Sequence, residues 1–86
     1  MYRMKTIIFT AGAARDHDAL PVDGRAMVDD ALDLYAKEGR GDVKRLQGSP
    51  YHRLRAGRYR VVFGEDQVTI LAIYIGKRET TTYRNI

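Results

Sequence analysis

The sequence predicts an α+β fold in which two helices pack on one face of a small, mainly antiparallel sheet. A chain of 86 residues can bury only one modest core, so we expect residues 1–86 to form a single domain. Helical patterns occupy the first half, and apolar runs separated by turn residues occupy the second half. The predicted order of elements is β-α-α-β-β-β.

The first strand is predicted over residues 5–10, where Ile7, Ile8 and Phe9 form an apolar run. The Ala-rich segment 11–20 predicts a short helix, which Pro21 interrupts. The apolar run is too short for a signal peptide, and no stretch approaches membrane-spanning length. The chain also has no cysteine, which excludes disulfides and thiolate zinc sites. We therefore expect a soluble, cytoplasmic protein.

A second helix is predicted from Asp23, as its N-terminal cap, to about Glu38, with Gly39 as its C-terminal cap. Apolar residues recur at i, i+3, i+4 and i+7 and predict the buried stripe, which consists of Val28, Ala31, Leu32 and Tyr35. Charged residues fill the other side, namely Asp29, Asp30, Asp33 and Lys37. We interpret these carboxylates as a solvated surface rather than as an acid–base pair.

The second half predicts three strands, over residues 51–55, 58–63 and 67–75. Residues 42–50 before them are expected to form a loop or short turn, and residues 64–66 a hairpin turn. The last strand is almost continuously apolar up to Gly76, which predicts a central strand that is covered on both faces.

The most informative segment is residues 51–60, which contains Arg53, Arg55, Arg58 and Arg60. If Ala56 and Gly57 form a two-residue turn, Arg55 lies opposite Arg58, and Arg53 opposite Arg60. All four side chains then emerge on one face. Like charges directly opposite each other destabilise a hairpin, whereas guanidinium groups match phosphate or carboxylate. The segment therefore predicts an anion-binding site, with scattered surface salt bridges as the alternative.

The charge distribution points to the same half of the chain. Residues 1–42 contain eight acids and six bases, and residues 43–86 contain three acids and nine bases. The net charge of +4 thus arises entirely in the second half. A basic surface of this kind favours a nucleic acid or an acidic protein segment as the partner.

Three further residues are candidates for chemistry. Arg78 follows the last strand and could join Arg60 on a neighbouring strand, where two guanidiniums could hold one phosphate. Tyr83 could orient a nucleophile, stack on a base or transfer a proton, or it could simply pack on the sheet. His52 is predicted to face away from the arginines unless a bulge reverses it. No metal site is expected, because His17 and His52 stand in unrelated contexts.

Two sequence blocks resemble the RelE/ParE superfamily of bacterial type II toxins. They are V-K-R-L-Q-G-S-P-Y-H-R-L-R-A-G-R-Y-R-V-V-F, at residues 43–63, and G-K-R-E-T-T-T-Y-R, at residues 76–84. The order of the preceding strand and helices extends the resemblance to nearly the whole chain. The resemblance implies a RelE-like microbial RNase fold without a cofactor. It also implies a cognate antitoxin protein, whose complex with the toxin represses its own operon.

RelE-like members bind the ribosomal A site, cut mRNA there, inhibit translation and arrest growth. Carried over by motif, the resemblance implies that Arg60 holds the scissile phosphate and that Arg78 stabilises the developing charge. Tyr83 corresponds to a tyrosine that stacks on or activates the nucleotide. Arg53 and Arg55 match basic positions on the preceding strand, one of which is a lysine that serves as acid or base in some members. The remaining basic residues are expected to bind RNA, namely Lys44, Arg45, Arg55, Arg58 and Lys77.

The ParE branch shares the fold but inhibits DNA gyrase and generally lacks the arginine–arginine–tyrosine set. That set favours the RelE-like branch here, with a gyrase inhibitor as the alternative. The third hypothesis is a member of the superfamily that only binds its antitoxin. We expect neither Arg60 nor Arg78 in the core, so alanine at either position should leave the fold intact.

Overall fold

The computed structural model describes residues 4–77, in which two helices pack on one face of a five-stranded sheet. The predicted α+β class is confirmed. The elements in chain order are β1 (Thr6–Phe9), α1 (Ala11–Asp18), α2 (Val22–Glu38), β2 (Asp42–Arg45), β3 (His52–Ala56), β4 (Tyr59–Glu65) and β5 (Thr69–Lys77). Neither helix in this part of the chain is long and apolar enough to cross a membrane.

The strands lie in the order β1-β5-β4-β3-β2. Strand β1 runs parallel to β5, and the other three pairings are antiparallel, so the mainly antiparallel sheet is confirmed. The prediction that residues 42–50 form only a loop is wrong, because β2 pairs with β3 from Asp42 opposite Arg55 to Arg45 opposite His52. This edge strand has four residues and a largely exposed, polar surface, so its sequence lacks the apolar alternation that marks a strand.

Strand β4 lies at the centre of the sheet, and its residues from Tyr59 to Phe63 are all buried. The prediction that β5 is the central strand covered on both faces is wrong, because Leu71 on β5 is 39% exposed. One face of β5 packs on the helices through Ile70 and Ala72. The other face of β5 belongs to the sheet surface that α1 and α2 do not cover, which we call the open face. Strand β5 also continues past Gly76 to Lys77.

Helix α2 buries the predicted stripe. Val28 and Leu32 are fully buried, and Ala31 and Tyr35 pack against the same core. Gly39 ends the helix with φ of 68°, a left-handed conformation that glycine adopts without steric cost, and its N–H donates to the carbonyl of Tyr35. The C-terminal cap and the apolar stripe are therefore confirmed.

The N-terminal cap of α2 differs from the prediction. Pro21 occupies the cap position in an extended conformation and makes no side-chain cap hydrogen bond. Asp23 lies inside the first turn, where its Oδ1 accepts a hydrogen bond from the N–H of Gly24 at 3.0 Å. The fixed φ of proline suits the start of a helix, and the carboxylate still lies at the positive end of the helix dipole.

Helix α1 ties β1 to β5. Thr10 caps the helix by accepting a hydrogen bond from the N–H of Ala13 at 3.1 Å. Strand β1 pairs with β5 only as far as Ala72. Beyond that point Asp16 takes over, because its Oδ2 accepts a hydrogen bond from the N–H of Ile75 at 3.1 Å. A carboxylate from α1 thus satisfies a strand amide that β1 does not reach.

The β4–β5 turn lies later than predicted, because Gly64 and Glu65 belong to β4. Asp66 forms the turn, and its Oδ1 accepts hydrogen bonds from the N–H groups of Val68 and Thr69 at 2.9 and 2.8 Å. These two backbone hydrogen bonds lower the pKa of Asp66.

Glu65 joins three parts of the fold near the end of β4. Its Oε1 accepts a hydrogen bond from Lys5 Nζ at 2.6 Å, and its Oε2 accepts one from the Tyr35 hydroxyl at 2.7 Å. Burial raises the pKa of Glu65, but the hydrogen bonds from Lys5 and Tyr35 lower it, and the net result is a pKa below the ordinary value of 4.5. The junction connects the segment before β1, helix α2 and strand β4.

Candidate functional site

The β3–β4 hairpin differs from the predicted register by one residue. Ala56 pairs with Tyr59, so Gly57 and Arg58 form the turn. Gly57 has φ of 61°, and glycine at the first turn position is typical of a type II′ hairpin. As a result Arg55 lies opposite Arg60, and Arg53 lies opposite Val62.

The arginines still converge, although with different partners. Residues that pair across antiparallel strands share a face of the sheet. Leu54 and Val61 alternate with the arginines along β3 and β4, pair with each other and pack in the core against the helices. The open face therefore carries four basic residues, which are Lys44, Arg53, Arg55 and Arg60. Arg58 lies in the turn instead, so the prediction of four arginines on one face is wrong for this residue.

Burial distinguishes the three arginines of the open face. Arg53 and Arg60 are only 8% and 7% exposed, whereas the Arg55 side chain is 41% exposed. The expectation that Arg60 lies outside the buried part of the protein is therefore wrong. A guanidinium that is largely removed from water attracts an anion more strongly than an exposed one does, because the local dielectric screens the charge less.

Among residues 4–77, Asp42 is the carboxylate that forms ion pairs with arginines of the open face. Asp42 Oδ1 is 3.4 Å from Arg53 Nη1, and Asp42 Oδ2 is 3.9 Å from Arg55 Nη1. One acid cannot neutralise two arginines, so Asp42, Arg53 and Arg55 together keep a net positive charge. This role of Asp42 could not be predicted from the sequence, because residues 42–50 are predicted to lie outside the sheet.

His52 lies on the helix side of the sheet, as predicted. It pairs with Phe63 and stacks on that ring, with 5.5 Å between ring centroids and an interplanar angle of 23°. Its Nδ1 is buried and has no hydrogen-bond partner within residues 4–77. These contacts are those of a packed histidine and separate it from the arginines.

Arg45 also belongs to the helix side by its pairing with His52, and its Nε donates to the Ser49 carbonyl at 3.2 Å. It lies exposed next to the β2–β3 loop, whereas Lys44 lies on the open face opposite Arg53. The structure therefore separates these two adjacent basic residues.

Arg58 and Lys77 lie together at one end of the sheet. Lys77 pairs with Tyr59, next to the turn that holds Arg58. Both residues line a cavity of about 460 Å³, together with Asp16 and Leu20 from the helical layer. This pair forms a second basic region beyond the open face.

Arg78 and Tyr83 lie outside the described residues, so their predicted roles stay predictions. Strand β5 carries Gly76 directly opposite Arg60, and Arg78 follows two positions later in the sequence. Among residues 4–77, no three His, Asp or Glu side chains form a group that could hold a metal ion.

No family model and no curated protein sequence matches this chain significantly. Solved structures do match. The RelBE2 toxin–antitoxin complex of Mycobacterium tuberculosis is 25% identical, with a TM-score of 0.73, over 93% of this chain and 98% of that chain. The RelE–RelB complex of Pyrococcus horikoshii OT3 is 18% identical, with a TM-score of 0.74, over 91% of this chain and 99% of that chain.

The intact RelBE toxin–antitoxin complex of E. coli is 23% identical, with a TM-score of 0.70, over 88% of this chain and 99% of that chain. The likeness covers the sheet and both helices. The chain therefore has the RelE-like toxin fold. The predicted resemblance to the RelE/ParE superfamily, in its RelE-like branch, is confirmed.

Proposed function

We propose that this protein is the toxin of a type II toxin–antitoxin system and that it acts as a ribosome-dependent mRNA endonuclease in the cytoplasm. The observation that carries the proposal is the convergence of Arg53, Arg55 and Arg60 on the open face of a sheet with the RelE-like fold. Two of these guanidiniums are largely buried, which suits them to bind phosphate rather than to solvate the surface. All 86 residues would form the one toxin domain.

The proposed reaction consumes no substrate other than the RNA. The 2′-hydroxyl oxygen attacks the adjacent phosphorus, and the bond from phosphorus to the 5′-oxygen breaks. The products are a 2′,3′-cyclic phosphate and a 5′-hydroxyl. In this scheme Arg60 holds the scissile phosphate, and Arg78 stabilises the negative charge that builds on the leaving oxygen.

Two proton transfers accompany this reaction, since the 2′-hydroxyl loses a proton and the leaving oxygen gains one. Arg53 does not readily release its proton, so we assign it an electrostatic role. Tyr83 would orient or activate the nucleotide. Because arginine is a poor acid, we expect naked RNA to be cut slowly, which is consistent with a requirement for the ribosome.

The other basic residues would hold RNA by its phosphates. Lys44 and Arg55 would extend the open face, and Arg58 and Lys77 would bind at the end of the sheet. Arg45 would contact ribosomal RNA beside the β2–β3 loop. Each contact releases counterions from RNA, so binding should weaken steeply as the salt concentration rises.

A cognate antitoxin is the second proposed partner, and its complex with this chain would repress its own operon. Ile8 and Leu71 pair across β1 and β5 on the open face, and they are 47% and 39% exposed. An amphipathic segment could cover these apolar side chains while its acidic residues neutralise the arginines. The matched toxin structures from Mycobacterium tuberculosis, Pyrococcus horikoshii OT3 and E. coli are toxin–antitoxin complexes.

The test is to induce the chain in bacteria and map the 5′ ends of mRNA. We expect new ends within translated codons, and we expect their yield to fall roughly 10- to 100-fold with Arg60→Ala, the loss of one charge-assisted phosphate contact. Arg60 is buried, so Arg60→Lys should also be measured, since it keeps the charge and most of the packing but loses the two-pronged donor. Arg40→Ala is the matched control, because that side chain is 74% exposed.

Thermal unfolding of the purified variants separates a lost contact from a lost fold. Unchanged cleavage in both Arg60 variants, or loss of cleavage only where the protein unfolds, would remove Arg60 from the site. Growth arrest with intact messages and cleaved DNA would replace the nuclease by a gyrase inhibitor. Absence of arrest would leave a protein that only binds its antitoxin.

A further inference from the structure

Asp42 places a negative charge on the open face beside its basic residues. Its pairing with Arg55 places it on that face. The strand residues that the structure describes on this face include one acid, Asp42. They also include four bases, which are Lys44, Arg53, Arg55 and Arg60. An acid at this position opposes the binding of any anion that the four bases attract.

The geometry of Asp42 shows which bases it occupies. Its two carboxylate oxygens point to different arginines, with Oδ1 at 3.4 Å from Arg53 and Oδ2 at 3.9 Å from Arg55. Asp42 lies on the edge strand β2, and its side chain is 59% exposed. The Arg53 side chain is only 10% exposed. An exposed, hydrated carboxylate is therefore paired with an arginine side chain that is largely buried.

We propose that the Asp42 carboxylate competes with phosphate for Arg53 and Arg55. It forms ion pairs with both arginines in the free protein, and these ion pairs break when a phosphodiester binds. The inference rests on the proposed function in so far as the phosphodiester is RNA. Asp42 acts through the two arginines and is a positioning residue. It keeps the buried charge of Arg53 compensated in the absence of RNA, and it lowers the affinity of the open face for phosphate.

The cost to affinity follows from Coulomb's law. A phosphate that binds Arg53 and Arg55 must come close to the carboxylate that it displaces. At a separation of about 6 Å in a well-hydrated setting, one like charge lowers affinity roughly three- to tenfold. Removing the charge but keeping the shape of the side chain should recover that factor.

The experiment compares the intact chain with Asp42→Asn, which keeps an oxygen acceptor for the arginines. Two probes are titrated over a range of salt concentrations, a short single-stranded RNA and inorganic pyrophosphate. Asp30→Asn is the matched control, because it changes the net charge equally at an exposed position on α2, away from the open face. Arg60→Lys reports whether the probe occupies the arginine site.

We expect Asp42→Asn to bind both probes roughly three- to tenfold more tightly than Asp30→Asn does. For RNA, the plot of log affinity against log salt should steepen by up to about 0.7, the contribution of one phosphate contact in a single strand. A purely structural role would not change this slope.

Two results would overturn the inference. Equal affinities of the two asparagine variants for both probes would show that Asp42 does not compete. Weaker binding by Asp42→Asn would show that the carboxylate assists phosphate by holding the arginines. A gain for pyrophosphate alone, with RNA binding that is insensitive to Arg60→Lys, would support the inference and count against the proposed RNA substrate.

Discussion

Replacing Tyr35 with phenylalanine tests the junction at which Glu65 connects α2, β4 and the segment before β1. The substitution removes the hydroxyl that donates to Glu65 Oε2 at 2.7 Å. It keeps the ring, which packs on Phe63 with 5.4 Å between centroids. The substitution therefore removes the hydrogen bond to a charged group and keeps the packing of the ring.

The magnitude follows from the setting of that bond. A hydrogen bond to a charged group contributes about 1.5–3 kcal/mol, and the lower part of that range applies because Lys5 still holds the other oxygen of Glu65. We expect the free energy of unfolding to fall by about 1.5–2 kcal/mol. In a domain of this size that loss lowers the melting temperature by roughly 6–16 °C.

The pH dependence gives the sharper test. The folded-state pKa of Glu65 lies below 4.5, so its ionised form stabilises the fold above the unfolded pKa. This stability is lost as pH falls through the lowered folded pKa. The difference between wild type and Tyr35→Phe should thus be constant from about pH 6 to 8 and should shrink below about pH 4.5, where Glu65 takes up a proton.

The assay is urea unfolding of both proteins at a series of pH values, with Glu65→Gln as the control. Glu65→Gln should lower stability at neutral pH and remove this part of the pH dependence. A deficit of Tyr35→Phe that is the same at pH 7 and at a pH below the folded-state pKa of Glu65 would show that the bond does not depend on the charge of Glu65. Absence of a deficit at both pH values would refute the bond itself.

Two further substitutions test the elements around the site. Gly57→Ala should destabilise the protein by about 1–2 kcal/mol in urea unfolding, because its φ of 61° disfavours a side chain. The end of the Met27 side chain lies within 2.9 Å of the new Cβ but can move, so a loss well above that range would show that packing dominates. Asp16→Ala should lower the free energy of unfolding by about 1–3 kcal/mol and speed amide exchange at Ile75, whose N–H it leaves unpaired. Asp16→Asn keeps an acceptor oxygen and should be nearly neutral. Equal losses of stability in the two variants would contradict this account.

The regular elements of this protein could be predicted from local sequence. The stripe of α2, the capping glycine at 39 and the alternation of β3 and β4 each reflect a period or a backbone preference that neighbouring residues specify. Strand β2 could not be predicted in the same way. Its four residues are polar and mostly exposed, and it is a strand only because β3 offers it hydrogen-bonding groups.

The candidate site, too, could be predicted from the sequence only in part. The sequence alone identified the arginines of residues 51–60 as an unusual set and pointed to an anion. It did not fix their partners, because a one-residue shift of the turn placed Arg55 opposite Arg60 and moved Arg58 out of the face. Local pattern cannot distinguish Gly57 as the first turn residue from Gly57 as the second, since both allow a tight hairpin.

The sequence by itself thus determined the element types apart from β2, the basic second half and the residue types that can bind phosphate, since these depend on composition and short-range spacing. Only the tertiary structure decided that Arg53 and Arg60 are buried and that Asp42 reaches two arginines. Burial and ion pairing depend on which strands become neighbours. That choice is made by the packing of the whole sheet against the helices, and segments distant in the chain contribute to it.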